Sequence, residues 1–461
     1  MKQPLISGEA RFTKGPVMRH IIELTVTGAI GLMAIFFVDF LSLLYISWLK
    51  DETLTAGVGF ATTVLFFATS FNIGLMIAIG ALVSRAVGAG SLDNAKRLAW
   101  SCLIWSGLTS ALVSVLAMPF LELLLTRIGA SGHALVVARD YLWITMPANA
   151  LMALGMGLSS VLRAVGDPRR AMNVTLAAGI VTAFMDPLLI FGFHLGVTGA
   201  AIATVISRIV FIVVGFYSVI VVHRFTVRPS LTEIRASFRP LFGIAGPAIL
   251  TNIATPVANA FIMRSLAPFG DAIIAGNTIL DRLVPLAFGA LFALTGALGP
   301  IFGQNLGARR YDRLSRALRD ALLCAGIYVG VVWLLLLLGR DVVPAIFGAT
   351  GKTAEYVRFF CLIAGLIWGF NGMLFVANTA FNNLGFPLLS TGFNWARATL
   401  GTVPFAAMGA MLGGPSGLLI GVACGSALFG TLAILVAFRQ VGRLESRDTA
   451  SPKVVADGLP P

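Results

Sequence analysis

The chain has 461 residues, of which 57% are hydrophobic and 11% charged, and its formal net charge is +13. Soluble domains carry about a quarter charged residues, so this composition excludes a soluble globular protein. Apolar runs of about 20 residues, the length that spans a bilayer, recur along the whole chain. We therefore expect an all-α polytopic membrane protein. Residues 1–20 lack the apolar region of a cleavable signal, so the first helix is expected to stay.

Twelve apolar runs are predicted to be transmembrane helices. Gly and Pro inside them do not argue against helices, because neighbouring helices can satisfy the freed backbone groups. The predicted spans, numbered 1 to 12 in chain order, cover residues 21–48, 55–79, 98–120, 138–160, 171–193, 197–221, 241–266, 275–299, 317–338, 358–381, 388–411 and 416–438.

Two spans of the first half each contain one carboxylate. Asp39 lies in span 1, in the stretch FFVDFLS, and Asp186 lies in span 5, in the stretch FMDPLLIFG. The bilayer offers no water to solvate an ionised carboxylate, so an ionisable residue there indicates a function by default. The alternative is a neutral acid that only joins helices by hydrogen bonds.

Four residues of the first half are predicted to share one site. Counted at about 1.5 Å per residue from the span ends, Asp39, Asp186 and Thr204 lie at one depth, in the half of the bilayer away from the termini. Thr182 lies one turn before Asp186 on the same helix face. Two carboxylates at one depth in a low dielectric are expected to titrate as a coupled pair. Pro187 removes a backbone donor and predicts a hinge in span 5 near Thr182.

The polar residues of the second half are less informative. Asp281 and Arg282 lie in span 8 and Arg397 lies in span 11. A structural ion pair among them is favoured over a substrate-binding or relay role. Asn371 and Asn378 share one face of span 10, where they could line a cavity or join two helices.

The basic residues are distributed unevenly between the two sides of the membrane. Of the 33 Lys and Arg, 23 fall in the N-terminal segment, the loops on that side and the C-terminal tail, seven fall in the other loops, and three fall within spans. The positive-inside rule then places both termini in the cytoplasm, and we expect a location in the plasma (inner) membrane. Dispersal of these residues over short loops argues against nucleic-acid binding.

The usual signatures of enzymes and metal sites do not occur in the sequence. Four cysteines and four histidines are scattered without the spacing of a metal site. Neither a glycine-rich phosphate loop nor a Ser/His/Asp set is recognisable. We therefore expect no enzymatic activity, and no cofactor beyond a coupling ion.

The two halves of the chain repeat each other at a constant separation, here called the repeat offset. Gly80 is matched by Gly299, and Gly166 is matched by Gly385 at the same offset, without a gap. Six spans per copy is an even number, so both copies have the same orientation, as in alternating-access transporters with parallel repeats. The predicted units are an N-lobe, a cytoplasmic linker, a C-lobe and a polar, disordered tail, over residues 1–222, 223–240, 241–439 and 440–461.

Several motifs resemble one known family. They are LRAVGDPRRAMNV, DPLLIFG and LGVTGAAIATVISR in the first half and GQNLGARRYDRL in the second. In this order and spacing they resemble the multidrug and toxic compound extrusion (MATE) family over essentially the whole chain. The resemblance implies two six-helix lobes around a central cavity. It also implies extrusion of organic, often cationic, compounds coupled to proton or sodium entry.

Acidic residues in spans 1 and 5, but not in spans 7 and 10, resemble the DinF-like branch of that family. The resemblance implies that Asp39 and Asp186 belong to a cation site, with Thr204 joining them and Na⁺ as one candidate ion. Where the family usually has Asn one turn before the span 5 acid, this chain has Thr182. Thr offers one oxygen and no amide, so we predict that protons rather than sodium ions are the coupling ion.

Three functions from different classes remain open. The first is a secondary antiporter that exports organic, cationic, amphipathic compounds by alternating access. The second is a lipid-linked oligosaccharide flippase, which would favour a cationic cavity. The third is a membrane-embedded enzyme, for which an acidic pair alone is insufficient. For the first we expect small organic molecules and the bilayer as partners, and a monomeric protein.

Overall fold

The protein was analysed as a computed structural model, which describes residues 10–450. The first half contains eight α-helices: α1 (Val17–Ser47), α2 (Glu52–Gly88), α3 (Leu92–Ala117), α4 (Leu121–Arg127), α5 (Gly132–Thr145), α6 (Asn149–Ala164), α7 (Pro168–Pro187) and α8 (Gly196–Phe216). The second half contains seven: α9 (Leu231–Leu266), α10 (Asp271–Gly307), α11 (Tyr311–Leu338), α12 (Val342–Ile346), α13 (Gly351–Leu384), α14 (Pro387–Ala396) and α15 (Val403–Ala450). Three helices continue into π-turns, over Leu188–Gly192, Tyr217–Val222 and Arg397–Gly401.

Within residues 10–450, ten helical stretches are long and apolar enough to cross a membrane, and the bent pair α5–α6, which turns by 53°, makes an eleventh. The stretch Pro387–Asp448 has 62 residues, far more than one crossing needs. Its backbone leaves helical geometry at Gly413 (φ −140°, ψ 22°) and Gly414 (φ 59°, ψ −144°). The chain turns back there, so this stretch supplies two crossings.

Glycines hold the two arms of this hairpin together. A Cβ on Gly425 would collide with the backbone of Gly401, and a Cβ on Gly417 would collide with the backbone of Gly409. Small residues that let helix backbones approach are typical of membrane helix pairs. The twelve predicted spans and their two-lobe arrangement are therefore confirmed.

Helix ends show the repeat directly. α1 ends at Ser47 and α9 ends at Leu266, which are separated by the repeat offset. The same offset separates both ends of α2 from both ends of α10, and the first residue of α7 from that of α14. The repeat read from scattered glycines is thus a repeat of whole helices.

Two helices extend beyond the predicted spans. α9 begins at Leu231, inside the predicted linker, because Ser230 and Glu233 form a capping box there. α15 continues to Ala450, so residues 440–450 are helical rather than disordered. Their polarity suggested a disordered tail, but the Arg, Leu and Glu residues among them are good helix formers. The remainder of the predicted tail lies outside the described residues.

The two lobes are joined by an equivalent pair of hydrogen bonds on the side of the membrane where α1 begins and α15 ends, here called the terminal side. Arg85 of α2 donates from Nε to the Asn383 carbonyl oxygen at the end of α13, over 2.8 Å. Gln304 of α10 donates from Nε2 to the Ala164 carbonyl oxygen at the end of α6, over 2.8 Å. The two donors are separated by the repeat offset, and so are the two acceptors. Each lobe therefore caps a helix of the other.

The segment before α1 reinforces this junction. Phe12 is fully buried, and its amide N–H donates to Gln304 Oε1 over 2.8 Å. The Phe12 carbonyl oxygen accepts from Arg313 of α11 over 2.9 Å, and Arg11 donates to the Gly166 carbonyl oxygen over 2.6 Å. The segment therefore bonds to both lobes and closes the space between them on the terminal side.

Candidate functional site

Asp186 is the central residue of the candidate site. It lies in the last turn of α7, directly before Pro187, and only 1% of its surface is exposed. Among the carboxylates whose burial the structure describes, it is the only buried one. Ser42 of α1 donates a hydrogen bond from its hydroxyl to Asp186 Oδ2. The carboxyl group therefore joins α7 to α1 and has no arginine or lysine partner in the described part of the chain.

Asp39 is the open member of the pair. It lies almost one turn before Ser42, so the two side chains share a face of α1. Asp39 is exposed, and it forms no hydrogen bond or ion pair with any residue that the structure describes. It lies close enough to Asp186 and Tyr141 for its charge to act on both. One buried and one open carboxylate thus lie side by side.

Thr204 lies near this pair without bonding to it. Its hydroxyl donates to the Ala200 carbonyl oxygen over 3.0 Å and lies 3.4 Å from the Tyr141 hydroxyl. Tyr141 is buried and close to both carboxylates. Thr204 is therefore linked to the acids through Tyr141.

Two side chains of the site were missed in the sequence analysis. Ser42 has a readable signal, since it lies one turn after Asp39 in an apolar helix. Tyr141 lies only about one turn from the start of predicted span 4, which is too shallow by that count to meet the two acids. In the structure α5 begins earlier, at Gly132, and so carries Tyr141 to their depth.

The contacts of Thr182 differ from those expected of a residue that shares a site with Asp186. The Thr182 hydroxyl donates to the Ala178 carbonyl oxygen over 3.1 Å, and the same carbonyl accepts from Ser207 over 2.9 Å. Thr182 thus bonds to backbone, not to Asp186. α7 remains helical through Thr182 and widens after Pro187 into the π-turn, and the hinge in span 5 stays a prediction. The extra residue per turn accommodates the proline's missing donor.

A cation also lies close to the candidate site. Arg208 of α8 donates from Nη1 to the Thr145 carbonyl oxygen at the end of α5, over 2.6 Å. Its charge acts on Tyr141, which links it to the site. Arg208 has no carboxylate partner among residues 10–450, so it adds an uncompensated positive charge to the N-lobe.

The C-lobe has no counterpart of the acidic pair among the residues that the structure describes. Ala258 occupies the position that matches Asp39 in the repeat, and it is buried against Ala254 and Ala398. The ion pair predicted among Asp281, Arg282 and Arg397 is wrong, since no ion pair within residues 10–450 includes any of the three. Asp281 and Arg282 are adjacent on α10, so they point in different directions. Both are exposed.

Asn371 and Asn378 are both buried in α13. The Asn378 side-chain oxygen has no hydrogen-bond partner in the described part of the chain. An aromatic cluster joins the same helix to α10: Phe288 stacks on Trp368 with ring centroids 4.9 Å apart, and Phe292 packs against Trp368 and against Phe375, also of α13. Phe292 remains exposed on one side, which gives the C-lobe an open aromatic surface.

Metal ligation has limited support. Within residues 10–450 no group of three or more His, Cys, Asp or Glu side chains could hold a metal ion. The oxygens nearest to a sodium site are those of Asp39, Asp186 and Ser42, with Thr204 held by Tyr141. The nature of the coupling ion stays a prediction.

Comparison with known proteins decides the family. The MatE family model matches residues 29–188 and 247–408, once in each lobe. The chain belongs to the MatE family. A FAD transporter of Shewanella oneidensis is 30% identical over 431 residues, which cover 92% of this chain and 95% of that protein. The multidrug export protein MepA of Staphylococcus aureus is 26% identical over 380 residues, 79% of this chain and 82% of that protein.

Solved structures show the same fold. The Vibrio cholerae MATE transporter VcmN in its bent form superposes with a TM-score of 0.88 at 24% identity, covering 93% of this chain and 98% of that one. A MOP superfamily transporter from Pyrococcus furiosus, described as having a binding pocket of reverse polarity, superposes with a TM-score of 0.89 at 19% identity, covering 96% and 100%. Membership of the MatE family, together with relatives that are named as transporters, makes this protein an integral membrane transporter and not an enzyme.

Proposed function

We propose that this MatE transporter is a secondary antiporter that exports organic, cationic, amphipathic compounds in exchange for protons by alternating access. The observation that carries the proposal is the pair formed by Asp186, buried on Ser42, and Asp39, open beside it. A buried carboxyl group without a basic partner favours its neutral form, whereas an open one can be reached by ions and ligands.

The pair can link the proton to the exported compound through charge. Protonation of Asp39 and Asp186 removes the negative charge that attracts a cationic compound. By linkage, a bound cation must disfavour protonation by the same free energy. Because Ser42 and Asp186 join α1 to α7, the change in charge also alters the contact between these two helices, of which α1 also packs on α10 of the C-lobe.

The distribution of basic residues and the bonds between the lobes indicate from which side of the membrane the site is reached. The basic excess on the terminal side supports a cytoplasmic location for both termini in the plasma membrane. The bonds of Arg85 and Gln304 close that side, so the space beside Asp39 would be reached from outside. Protons would then enter the site from the side on which a cell maintains the higher proton activity.

Protons are favoured over sodium ions because, in the described part of the chain, the Ser42 hydroxyl is the one that bonds to the acidic pair. The Thr182 hydroxyl bonds to backbone, and the Thr204 hydroxyl bonds to backbone and to Tyr141. A sodium site needs several free oxygens, of the kind that unwound backbone supplies in other transporters. Assignment to the DinF-like branch and a monomeric state are part of the same proposal.

A second class of exported compound, an aromatic compound that carries phosphate, is supported by a separate observation. The Shewanella relative is named a FAD transporter, and FAD carries phosphates on an aromatic framework. The open Phe292 surface suits a flat ring, and arginine without a carboxylate partner suits a phosphate. A lipid-linked oligosaccharide is less favoured, because the N-lobe presents two acids to a pyrophosphate.

Purified protein in proteoliposomes tests the coupling. Efflux of a fluorescent cation should follow an imposed pH gradient in sodium-free buffer and should be indifferent to a sodium gradient at constant pH. Strict dependence on sodium would contradict proton coupling. Efflux of the compound down its own gradient without a matching movement of protons in the opposite direction would contradict antiport.

A further inference from the structure

Four partly buried arginines lie in transmembrane helices or their ends without a carboxylate partner among residues 10–450. Three of them donate hydrogen bonds to protein atoms. Arg85 donates to the Asn383 carbonyl oxygen, Arg163 to the Ser159 hydroxyl over 3.0 Å, and Arg208 to a backbone carbonyl oxygen at the end of α5. Neutral acceptors are thus the rule for these guanidinium groups. Arg163 lies in the last turn of α6.

Arg397, the fourth, does not follow this rule. Its Nε is completely buried and has no hydrogen-bond partner. The side chain forms no ion pair or hydrogen bond with any residue from 10 to 450, although the residue is only partly buried. The group is therefore desolvated at Nε and open at its tip. An unpaired guanidinium in this setting carries a free-energy cost that no protein contact offsets.

The backbone around Arg397 is held firmly. Arg397 begins the π-turn Arg397–Gly401, and the Thr402 hydroxyl donates to its carbonyl oxygen over 2.9 Å. Just before it in α14, the Trp395 indole N–H donates to the Leu250 carbonyl oxygen of α9 over 3.0 Å. π-turns occur often at functional sites, where they re-aim a side chain. A free guanidinium on a fixed backbone is what a binding group requires.

We infer that Arg397 is an anion-binding residue, which holds a phosphate or carboxylate group of the transported compound in the C-lobe. A guanidinium presents its N–H groups as a planar fork that matches the two oxygens of these groups. The neighbouring cluster of buried residues, in which Ala254, Ala258 and Ala398 pack together, contains no acid that would compete. The inference rests on the proposed function only in taking the ligand to be the cargo.

The two lobes then offer different groups to a ligand. The N-lobe presents Asp39 and Asp186, and the C-lobe presents Arg397. A compound bound between them would place its cationic or apolar part toward the N-lobe and its oxyanion toward α14. The expected substrates are then amphipathic compounds that carry an oxyanion. This class is narrower than that of organic cations in general.

Binding of two flavins to the full-length protein in detergent, without any ion gradient, tests the inference. Riboflavin and riboflavin 5′-phosphate share one fluorescent ring and differ by one phosphate. The phosphate form should bind the unmodified protein roughly 10- to 100-fold more tightly, the range expected for a charge-assisted hydrogen bond. Arg397→Gln should abolish this preference and leave riboflavin binding unchanged, and Arg397→Lys should restore part of it.

A matched variant shows whether a loss of preference is specific to Arg397. Arg264→Gln removes an exposed arginine of α9 in the same lobe and should keep the preference. Loss of preference in both variants would show a general effect of charge and overturn the assignment. Equal or undetectable binding of both flavins to the unmodified protein would overturn it as well.

Thermal unfolding distinguishes a ligand-binding from a structural arginine. Because Arg397 has no partner in the described part of the chain, Arg397→Gln should unfold at the same temperature as the unmodified protein or higher. A marked fall would make Arg397 structural and overturn the inference. These measurements use no gradient, so a failure of proton coupling would leave their outcome intact, and the two proposals fail separately.

Discussion

The N-lobe and the C-lobe share one backbone plan and differ in the polar groups that they carry. Both ends of α2 recur in α10 at the repeat offset, and the end of α1 recurs in α9. Yet α1 carries Asp39 where α9 carries Ala258, and α7 carries Asp186 where the hairpin arm carries Pro404 or Phe405. The two halves thus share the arrangement of helices, whereas the polar side chains on those helices differ between the lobes.

The terminal side shows the opposite relation. Arg85 and Gln304 occupy equivalent positions and differ in charge, but each donates to the carbonyl oxygen at an equivalent helix end. A bond has been retained there although the residue has changed. The lobes therefore close against each other symmetrically and would use an asymmetric site between them.

Among the changes that test this difference between the lobes, substitution of Asp186 should have the largest effect on efflux. Asp186→Asn keeps the volume and an acceptor for Ser42 but cannot exchange a proton, so gradient-driven efflux should fall about tenfold or more while expression stays near normal. The C-lobe carboxylate offers a control, and Asp281→Asn should transport nearly as the unmodified protein does. Normal coupled efflux in Asp186→Asn would leave the carboxyl group as a mere link between helices.

Substitution of Asp39 should have a similar effect by another route. Asp39→Asn removes the open charge that meets ligand and ion, and efflux should fall about as far as in Asp186→Asn. The double variant should be little worse than either single one, since residues that act as one unit are not additive. Losses that multiply in the double variant would indicate two independent sites.

Removal of the Ser42 hydroxyl should have a smaller effect. Ser42→Ala leaves Asp186 without its donor from α1, and one such bond is worth ~1–3 kcal/mol when a charged partner is left buried. The pH dependence of efflux should shift, and its maximum rate should change several-fold. Thr182→Val serves as a comparison, because that hydroxyl bonds only to backbone and its loss should change little. Equal effects of the two variants would argue against a role for the Ser42 bond.

The interlobe bonds should control which side is open. Arg85→Ala removes the bonds to the Asn382 and Asn383 carbonyl oxygens. Gln304→Ala removes those to Ala164 and Phe12. At about 1 kcal/mol for one bond, each substitution should raise the population open on the terminal side about fivefold or more. Distances between spin labels at the ends of α6 and α13 would report this population. Equal responses are expected from the repeat, and a response to Arg85→Ala alone would show that the closure is asymmetric too.

The smallest expected effect is on stability and concerns the residues that immediately precede α7 and α14. Asp167 caps α7, whereas Phe386 occupies the same position before α14 and does not cap it. Burial raises the pKa of the Asp167 carboxyl, but hydrogen bonds from His223 and Arg170 outweigh it and lower the pKa to about 2. Asn caps a helix as well as Asp does, so Asp167→Asn isolates the charge.

A folded-state pKa below the unfolded value of about 3.9 stabilises the fold above that value, and the stabilisation is lost as the pH falls toward 2. Allowing for partial solvent screening, Asp167→Asn should cost ~1 kcal/mol near neutral pH. Thermal unfolding between pH 7 and pH 3 measures the difference, which should shrink as the pH falls. A difference that is constant with pH would mean that the carboxylate charge contributes nothing.

The sequence predicted the parts of this molecule that depend on periodicity and depth. Apolar runs revealed the spans, and counting residues from the span ends placed Asp39 beside Asp186. Direction around a helix was harder to read. Asp281 and Arg397 have opposite charges, but depth says nothing about which way a side chain points. The contacts of Thr182 with backbone and of Thr204 with Tyr141 likewise depend on neighbouring helices that local patterns do not specify.

The most direct test of the account is a titration of ligand affinity against pH. The protein in detergent, without a gradient, would be titrated with tetraphenylphosphonium, whose charge does not change with pH. Affinity should weaken as the pH falls, because protonation of Asp39 and Asp186 removes the charge that holds a cation. The dependence should vanish when both residues are replaced by Asn and persist in Asp281→Asn. A flat profile in the unmodified protein, or a slope that survives the double replacement, would contradict a coupling site in the N-lobe.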